Sequence, residues 1–150
     1  MIYLDTSAFI KLYFLEEGSD FVQHCVTGQD EPLPVWEIQE AEFINACRLK
    51  VFWRDITSEQ ADQQIRLFEQ RMRRGQYFVP EIDRGMLLSS FRTLSRQTPQ
   101  FGCRTMDILH VACALQLAPL RFVSYDERQR SLAAHAGLST LPAPLDKPMG

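Results

Sequence analysis

The stretch Ile2-Tyr3-Leu4-Asp5-Thr6-Ser7-Ala8 holds a short apolar run that ends at a carboxylate. A second stretch, Phe122-Val123-Ser124-Tyr125-Asp126, repeats this pattern late in the chain. A helical pattern follows each run, so we interpret both runs as buried strands that lead into helices. Strands that alternate with helices indicate βαβ units and a parallel sheet. The chain is therefore predicted to be an α/β protein.

Length and composition indicate one globular domain. The chain has 150 residues, of which 45% are hydrophobic and 23% charged, which is enough for a single core and unlike a disordered chain. We predict one domain over residues 1–141 and a mobile tail over 142–150. No apolar stretch approaches the ~20 residues of a membrane span, and the first residues lack the basic region of a signal peptide. A cytoplasmic protein with no membrane contact is expected.

Charge and cysteine content argue against two classes of protein. The net charge of −3 does not suit a protein that coats nucleic acid by bulk charge. Most basic residues are arginines, which suit phosphate and carboxylate partners, although a solvated helix face explains any single one more simply. The four cysteines form no C-x-x-C pair, so we interpret them as reduced and buried. A zinc site at Cys103, His110 and Cys113 is weakly supported.

Hydrophobic periodicity and capping residues predict the individual elements. Gly18 is interpreted as a left-handed cap that ends the first helix, and Thr105 as an N-cap. The segment Thr57-Ser58-Glu59 offers an N-cap for the helix that follows it. The predicted helices cover residues 7–15, 19–26, 37–53, 59–74, 83–96, 106–118 and 127–136. The predicted strands cover residues 2–4, 33–35, 77–79, 121–124 and 139–141, with a loop over 97–102.

Three acids are predicted to meet at one edge of the sheet. Asp5 and Asp126 directly follow strands, and Asp107 lies in the first turn of a helix that begins at the same edge. Ligands of an open parallel sheet bind beyond the carboxyl ends of its strands. An acid in a first turn is also explained by capping and by the helix dipole. For Asp107 taken alone, capping and function are equally good explanations.

Glu42 is a fourth candidate acid, on the apolar flank of the predicted helix 37–53. It lies four residues after Ile38 and four before Ala46, with Leu49 further along the same line. A glutamate placed there needs an arginine or a metal as its partner. Glu40 would point to a different side of the helix, so Glu42 is preferred.

The four acids together indicate a metal site, because neighbouring carboxylates repel one another and raise at least one pKa. A hard divalent cation removes that conflict, and Mg²⁺ or Mn²⁺ suits carboxylate and water ligands. Such a site lowers the pKa of a bound water and shields phosphate charge during in-line attack. The hydroxyls of Thr6, Ser7 and Ser124 could orient water or phosphate, although turn and cap roles explain Thr6 and Ser7 equally well.

Other catalytic patterns fit the sequence less well. The chain has no G-x-G-x-x-G, Walker or G-x-S-x-G pattern. None of its three histidines stands near an obvious nucleophile, and His110 is interpreted as a core or supporting residue of its helix. A phosphoaspartate mechanism on Asp5 would normally place a second acid two residues later, where Ser7 stands.

The acid-bearing motifs, taken in order, resemble those of the PIN-domain nucleases and most closely their VapC-like toxin branch. The matching stretches span nearly the whole chain and are Tyr3–Ala8, Ala41–Phe43, Asp107–Ala112 and Val123–Asp126. The resemblance implies a PIN-like three-layer α/β/α fold with a short parallel central sheet. It also implies a Mg²⁺- or Mn²⁺-dependent endoribonuclease, a homodimer, and a cognate antitoxin that covers the active site. The acid cluster so implied consists of Asp5, Glu42, Asp107 and Asp126.

The leading hypothesis is a metal-dependent phosphodiesterase that cleaves RNA. Asp5, Glu42 and Asp107 would hold the cation, and Asp126 would complete its shell or position the attacking water. The candidates for contact with the RNA backbone are Arg104 and Arg128. The alternative is a non-catalytic PIN-like module whose acidic pocket receives a basic segment of a partner. A phosphatase of the haloacid-dehalogenase type is a third, weaker hypothesis.

Overall fold

The structure of this chain, a computed structural model, describes residues 1–143. Helices and short strands alternate along the chain, and the strand pairs in each half are parallel. The predicted α/β class with short parallel strands is therefore confirmed. The chain divides into two compact units, Met1–Glu81 and Ile82–Gly150.

The first unit begins with the strand that the opening apolar run predicts. β1 covers Ile2–Leu4, and all three residues are buried. β2 at Leu33–Pro34 and β3 at Tyr77–Phe78 pair in parallel, with Leu33 opposite Tyr77. The helices of this unit are α1 at Thr6–Phe9, α2 at Ser19–Thr27, α3 at Glu37–Phe52 and α4 at Ser58–Arg73, and a 3₁₀ turn covers Ile10–Leu12.

An aromatic cluster forms the core of the first unit. The ring of Phe9 lies edge-on to those of Phe43 and Phe68, with centroids 5.4 and 6.1 Å apart. Tyr13 and Tyr77 complete the cluster, with centroids 5.5 and 5.3 Å from that of Phe9. Ring pairs of this kind add about 0.5–1.5 kcal/mol beyond area burial. The cluster thus packs α1, which follows β1, against α3 and α4.

The second unit is built around one buried helix. α7 at Thr105–Leu117 buries most of the run from Ile108 to Ala114, and α5 at Arg84–Ser95 packs against it. β4 at Arg121–Val123 and β5 at Thr140–Leu141 pair in parallel, with Phe122 opposite Thr140. The remaining helices of this unit are α6 at Thr98–Phe101 and α8 at Glu127–His135.

Most predicted elements agree with the structure to within one residue at each end, and three differ. The helix predicted over 7–15 is shorter, since α1 ends at Phe9 and a 3₁₀ turn continues only to Leu12. The predicted loop 97–102 contains α6, whose proline in the first turn forgoes an N–H that would have no partner there. The N-cap of α7 is Arg104 rather than Thr105.

The cysteines and His110 belong mainly to the core. Cys47, Cys103 and Cys113 are buried and Cys25 is half-buried, and no disulfide joins any two of these residues in the described part of the chain. His110 is 2% exposed on α7. The predicted buried position is therefore confirmed for Cys47, Cys103 and Cys113, whereas Cys25 is only half-buried.

The domain limits remain a prediction. The predicted single domain over 1–141 is not tested by the division into two units, and residues 144–150 of the predicted tail lie outside the described residues. Between residues 1 and 143, no helix has both the length and the apolar character that crossing a membrane requires.

Candidate active site

Asp5 is held at the junction of β1 and α1. Its side chain caps α1, and the residue is only 3% exposed. Oδ1 accepts the Ala8 N–H at 2.9 Å and the Ser7 hydroxyl at 2.7 Å, which also lies 2.9 Å from Oδ2. Such charge-assisted bonds offset part of the desolvation cost of a buried carboxylate. They also fix the direction in which the carboxylate points.

Thr6 links the start of α1 to α3. Its hydroxyl donates to Oε1 of Glu42 at 2.8 Å, and Glu42 is half-buried. Because Thr6 follows Asp5 directly, this bond brings the segments that carry two of the predicted acids together. The contact supports the choice of Glu42 over Glu40.

The face of α3 around Glu42 differs from the prediction. Ile38 and Leu49, part of the expected apolar flank, are each 38% exposed. The inward face carries Gln39, Phe43 and Cys47 instead. The prediction that Glu42 lies on an apolar flank was therefore wrong in part. The face of α3 that points inward is set by the packing of Phe43 in the aromatic cluster.

Two acids of the second unit occupy helix N-termini. Asp126 is the N-cap of α8, where its Oδ1 accepts the Gln129 N–H at 3.1 Å. Asp107 lies in the first turn of α7, where its Oδ2 accepts the Arg104 N–H at 3.0 Å. The positive end of each helix dipole favours these charges. Asp107 therefore caps α7 as its position predicts. Because a carboxylate has about four acceptor positions, the same side chain can cap the helix and bind a ligand.

Asp107 and Asp126 line one pocket of about 400 Å³. The other lining residues are Gly102, Arg104, Glu127 and Arg128. Three carboxylates and two guanidinium groups therefore border the same space, which provides partners for a cation and for an anion. Glu127 was not predicted as a site residue. A larger cavity of about 570 Å³ in the first unit is lined by none of the predicted site residues.

A buried hydrogen-bond network organises the chain after β4. The Ser124 hydroxyl donates to Oε1 of Gln129 at 2.8 Å and accepts the Asp126 N–H at 3.0 Å. Nε2 of Gln129 donates to the carbonyl oxygen of Asp107 at 3.1 Å. The Arg130 guanidinium donates to the Ser124 carbonyl at 2.8 Å. Ser124 thus holds the backbone of Asp126.

Two glutamines contact the acid-bearing segments without having been predicted. Nε2 of Gln39 donates to the carbonyl oxygen of Leu4 at 2.6 Å, and Gln129 makes the bonds just described. The spacing Asp126-x-x-Gln129 is related to a capping box and could have signalled Gln129. No comparable local pattern surrounds Gln39.

The thiol of Cys103 reflects the negative charge near the pocket. Its pKa is raised to about 11, first by burial and then by the carboxylates of Asp107 and Asp126, while Arg128 acts in the opposite direction. A thiol that stays protonated at neutral pH is a poor nucleophile and a poor metal ligand. The acidic side chains that line the pocket offer carboxylate oxygens as donors, and Cys103 is not one of the lining residues.

The donor chemistry fits a hard cation. Mg²⁺ is commonly bound through one or two carboxylates together with water, and Asp107 and Asp126 on one pocket supply such a pair. In the part of the chain that the structure describes, no group of three or more His, Cys, Asp or Glu side chains is arranged to hold a metal ion. A complete acid cluster is therefore still a prediction.

The predicted site residues fall into two groups. Asp5, Thr6, Ser7 and Glu42 come together in the first unit through the contacts of α1. In the second unit, Asp107, Asp126, Arg104 and Arg128 line one pocket, and Ser124 supports Asp126. That the two groups form one site stays a prediction.

Comparisons with solved structures identify the fold. The chain is similar to FitAcB from Neisseria gonorrhoeae, with a TM-score of 0.66 and 13% identity over 95% of this chain and 97% of that chain. It is also similar to VapBC-1 from nontypeable Haemophilus influenzae, with a TM-score of 0.63 and 17% identity over 93% and 96%. No family model and no curated protein matches the sequence. The likeness shows the fold, and the predicted PIN-like α/β fold is confirmed.

Proposed function

We propose that this protein is a Mg²⁺- or Mn²⁺-dependent endoribonuclease that acts in the cytoplasm as the toxin of a toxin–antitoxin pair. The pocket shared by Asp107, Asp126, Arg104 and Arg128 is the observation that supports this most directly. Carboxylates alone would suit a cation, and arginines alone would suit an anion. A site for metal-assisted phosphodiester cleavage can use both, the carboxylates to hold the cation and the arginines to hold the phosphate.

The proposed roles follow from how each acid is held. The proposed cation ligands are Asp5, Glu42, Asp107 and Asp126, of which Asp126 completes the shell or positions the attacking water. A bound cation would supply charge shielding for the phosphate and a lower pKa for water. The hydrogen bonds from Ser7, Ala8 and Thr6 orient the first two acids. Side chains that are already oriented lose little freedom when a ligand binds.

Arg104 and Arg128 are proposed to hold the RNA backbone. Both are exposed and border the pocket of Asp107 and Asp126. A guanidinium fork can bind two phosphate oxygens at once, which orients the phosphate as well as attracting it. Neither contact reads a base, so both would position RNA without selecting its sequence.

The central test compares Asp5→Asn and Asp126→Asn with the wild type in Mn²⁺-dependent cleavage of defined RNAs. Asparagine keeps the side-chain oxygen that caps α1 or α8, so each variant should fold while losing the ligand charge. We expect cleavage to fall at least about 100-fold in both variants. Asp20→Asn, at an exposed acid in the first turn of α2, is the matched control and should keep its rate. Full activity of Asp5→Asn, after contaminating nucleases are removed, would refute the assignment.

An antitoxin and a second copy of the chain are the proposed protein partners. The motif resemblance and the fold shared with FitAcB and VapBC-1 support this part of the proposal. A small neighbouring reading frame that encodes a DNA-binding protein would identify the antitoxin.

A non-catalytic module remains the second candidate. It is favoured by one observation, that residues 1–143 hold no group of three potential ligands arranged for a metal. In this case the acids would receive a basic segment of a partner protein. Calorimetry that detects no Mn²⁺ binding at millimolar concentration would favour the module over the nuclease.

A further inference from the structure

Two glutamines are buried as completely as the apolar core. Gln39 is 0% exposed and Gln129 is 1% exposed. Glutamine is mostly a surface residue, because an amide taken out of water loses hydrogen bonds that the protein must replace. Each of these side chains bonds to a segment that carries one of the proposed ligands.

Gln39 joins the end of β1 to α3. Its Nε2 donates to the Leu4 carbonyl at 2.6 Å, and Leu4 directly precedes Asp5. Gln39 also lies three residues before Glu42, on the neighbouring turn of α3. One hydrogen bond therefore sets the distance between the backbone that carries Asp5 and the helix that carries Glu42.

The amide of Gln39 keeps this bond at a cost. Its Oε1 is buried and has no hydrogen-bond partner among the described residues. Turning the amide over would set that oxygen against the Leu4 carbonyl oxygen, so the orientation is determined by the Leu4 bond. An apolar side chain of similar size would avoid the buried, unsatisfied oxygen. Packing alone does not explain why a glutamine stands here.

Gln129 has the corresponding place in the second unit. Its Oε1 accepts the Ser124 hydroxyl at 2.8 Å, and its Nε2 donates to the Asp107 carbonyl at 3.1 Å. Its backbone N–H donates to Oδ1 of Asp126 at 3.1 Å. A single residue thus ties the first turn of α7 to the start of α8, where the two acids of the pocket lie.

We propose that Gln39 and Gln129 are positioning residues, each of which fixes the separation of one pair of carboxylates, Asp5 with Glu42 and Asp107 with Asp126. The inference rests on the proposed function, because it assigns these separations to cation binding. Residues that orient metal ligands typically change metal affinity 10–100-fold when they are replaced. The side chains of Gln39 and Gln129 bond the carbonyl groups of Leu4 and Asp107 and the hydroxyl of Ser124, rather than the proposed ligand carboxylates themselves.

The test replaces each glutamine with methionine, which has a similar length and volume but forms no comparable hydrogen bond. Val22→Ala is the control, because Val22 is fully buried on α2 and its truncation lowers stability without removing a polar contact. We expect Gln39→Met and Gln129→Met to weaken Mn²⁺ binding, measured by calorimetry, about 10–100-fold. The Mn²⁺ affinity of Val22→Ala should stay within about twofold of that of the wild type, well below the change expected for the glutamine variants.

Stability provides a second, independent readout. Gln39→Met removes an unsatisfied buried oxygen but also the donor to the Leu4 carbonyl. These two effects oppose each other, so the variant should lose less stability in urea than Val22→Ala while its Mn²⁺ affinity falls further. If Gln39 had only a structural role, its replacement would lower stability and Mn²⁺ affinity together, as a cavity in the core does. If Gln39→Met does not fold, Gln39→Leu tests the same bond, and Gln129→Met tests the second pair by itself.

The outcomes separate this inference from the proposed function. If the wild type binds Mn²⁺ and cleaves RNA while both methionine variants bind Mn²⁺ like Val22→Ala, positioning is refuted and the nuclease stands. If the wild type neither binds Mn²⁺ nor cleaves RNA, the nuclease is refuted. Positioning is then tested by hydrogen exchange of the Ala8 amide, which donates to the Asp5 carboxylate. Faster Ala8 exchange in Gln39→Met than in Val22→Ala then supports it, and equal exchange overturns it.

Discussion

The hydroxyls of Tyr13 and Tyr77 form a buried hydrogen bond of 2.7 Å inside the aromatic cluster. The Arg71 guanidinium lies 4.7 Å from the centroid of the Tyr13 ring and 3.4 Å from the Tyr77 hydroxyl. The pKa of Tyr13 is raised above its ordinary value of 10.0, first by burial and then by Tyr77, while Arg71 acts in the opposite direction. Tyr13 therefore stays protonated in the folded protein at a pH where the unfolded chain ionises.

This shift predicts a loss of stability in alkali. Because the folded pKa lies above the unfolded one, the contribution of Tyr13 is complete below about pH 10 and falls as the pH rises further. The decline approaches about 1.4 kcal/mol per pH unit while only the unfolded state ionises. Urea unfolding of the wild type and Tyr13→Phe between about pH 8 and 11 measures it. The variant should decline less steeply above about pH 10, and parallel curves would show that Tyr13 ionises equally in both states.

Among the helices, α4 has the most explicit start signal. The Thr57 hydroxyl accepts the Gln60 N–H at 3.1 Å, and the Gln60 side chain accepts the Thr57 N–H at 2.8 Å. This reciprocal capping box satisfies two N–H groups that the helix itself cannot. α4 also supplies Phe68 to the aromatic core, so its start affects the packing behind α1 and α3.

Removal of this cap should destabilise the protein measurably. We expect Thr57→Ala to lower the free energy of unfolding by about 1 kcal/mol. Thr27→Ala is the matched control, because the Thr27 hydroxyl bonds only carbonyl groups of its own helix, those of Gln23 and His24. Surface changes of that kind usually stay within about 0.5 kcal/mol. Equal losses in urea unfolding would show that the box adds nothing at this helix.

Across the chain as a whole, charge is arranged locally rather than in bulk. The net charge is −3, yet two arginines border the pocket of Asp107 and Asp126. A protein of this charge has no general attraction for RNA, so the proposed binding depends on a few contacts. Each phosphate neutralised on a single strand contributes about −0.7 to the slope of log K against log salt.

RNA binding should therefore show a shallow salt dependence. We expect a slope near −1.4 for two contacts, measured by fluorescence anisotropy in an Asp5→Asn background that does not cleave the RNA. Arg104→Ala should bring the slope to about −0.7. Arg96→Ala, at an exposed arginine that closes α5, is the control and should leave the slope unchanged. If Arg104→Ala left the slope of log K against log salt unchanged, Arg104 would not be one of the RNA contacts.

Much of the fold could be predicted because its signals are local. Asp5 and Asp126 follow short apolar runs, and both cap the next helix as that position suggests. The capping box that begins α4 consists of Thr57 and Gln60, which lie three residues apart, about one helical turn. Capping bonds and strand-end positions involve neighbours in sequence, so the residue types alone indicate them.

Other features depend on residues distant in the sequence. The inward face of α3 is set by the contact of Phe43 with Phe9 and Phe68, which leaves Ile38 and Leu49 partly exposed. Thr6 bonds Glu42 across 36 positions, and no periodicity predicts which hydroxyl meets which acid. The pairing of Asp107 with Asp126 at one pocket also required the topology of α7 and β4.

The amino-acid sequence by itself determined the α/β class, most element limits and the four candidate acids, because apolar periodicity and helix caps act over a few residues. Only the tertiary structure determined that Gln39 and Gln129 are buried against the backbone of the acid-bearing segments. A polar residue on a helix carries no local signal of the group that it meets across a core, since that group comes from another part of the chain.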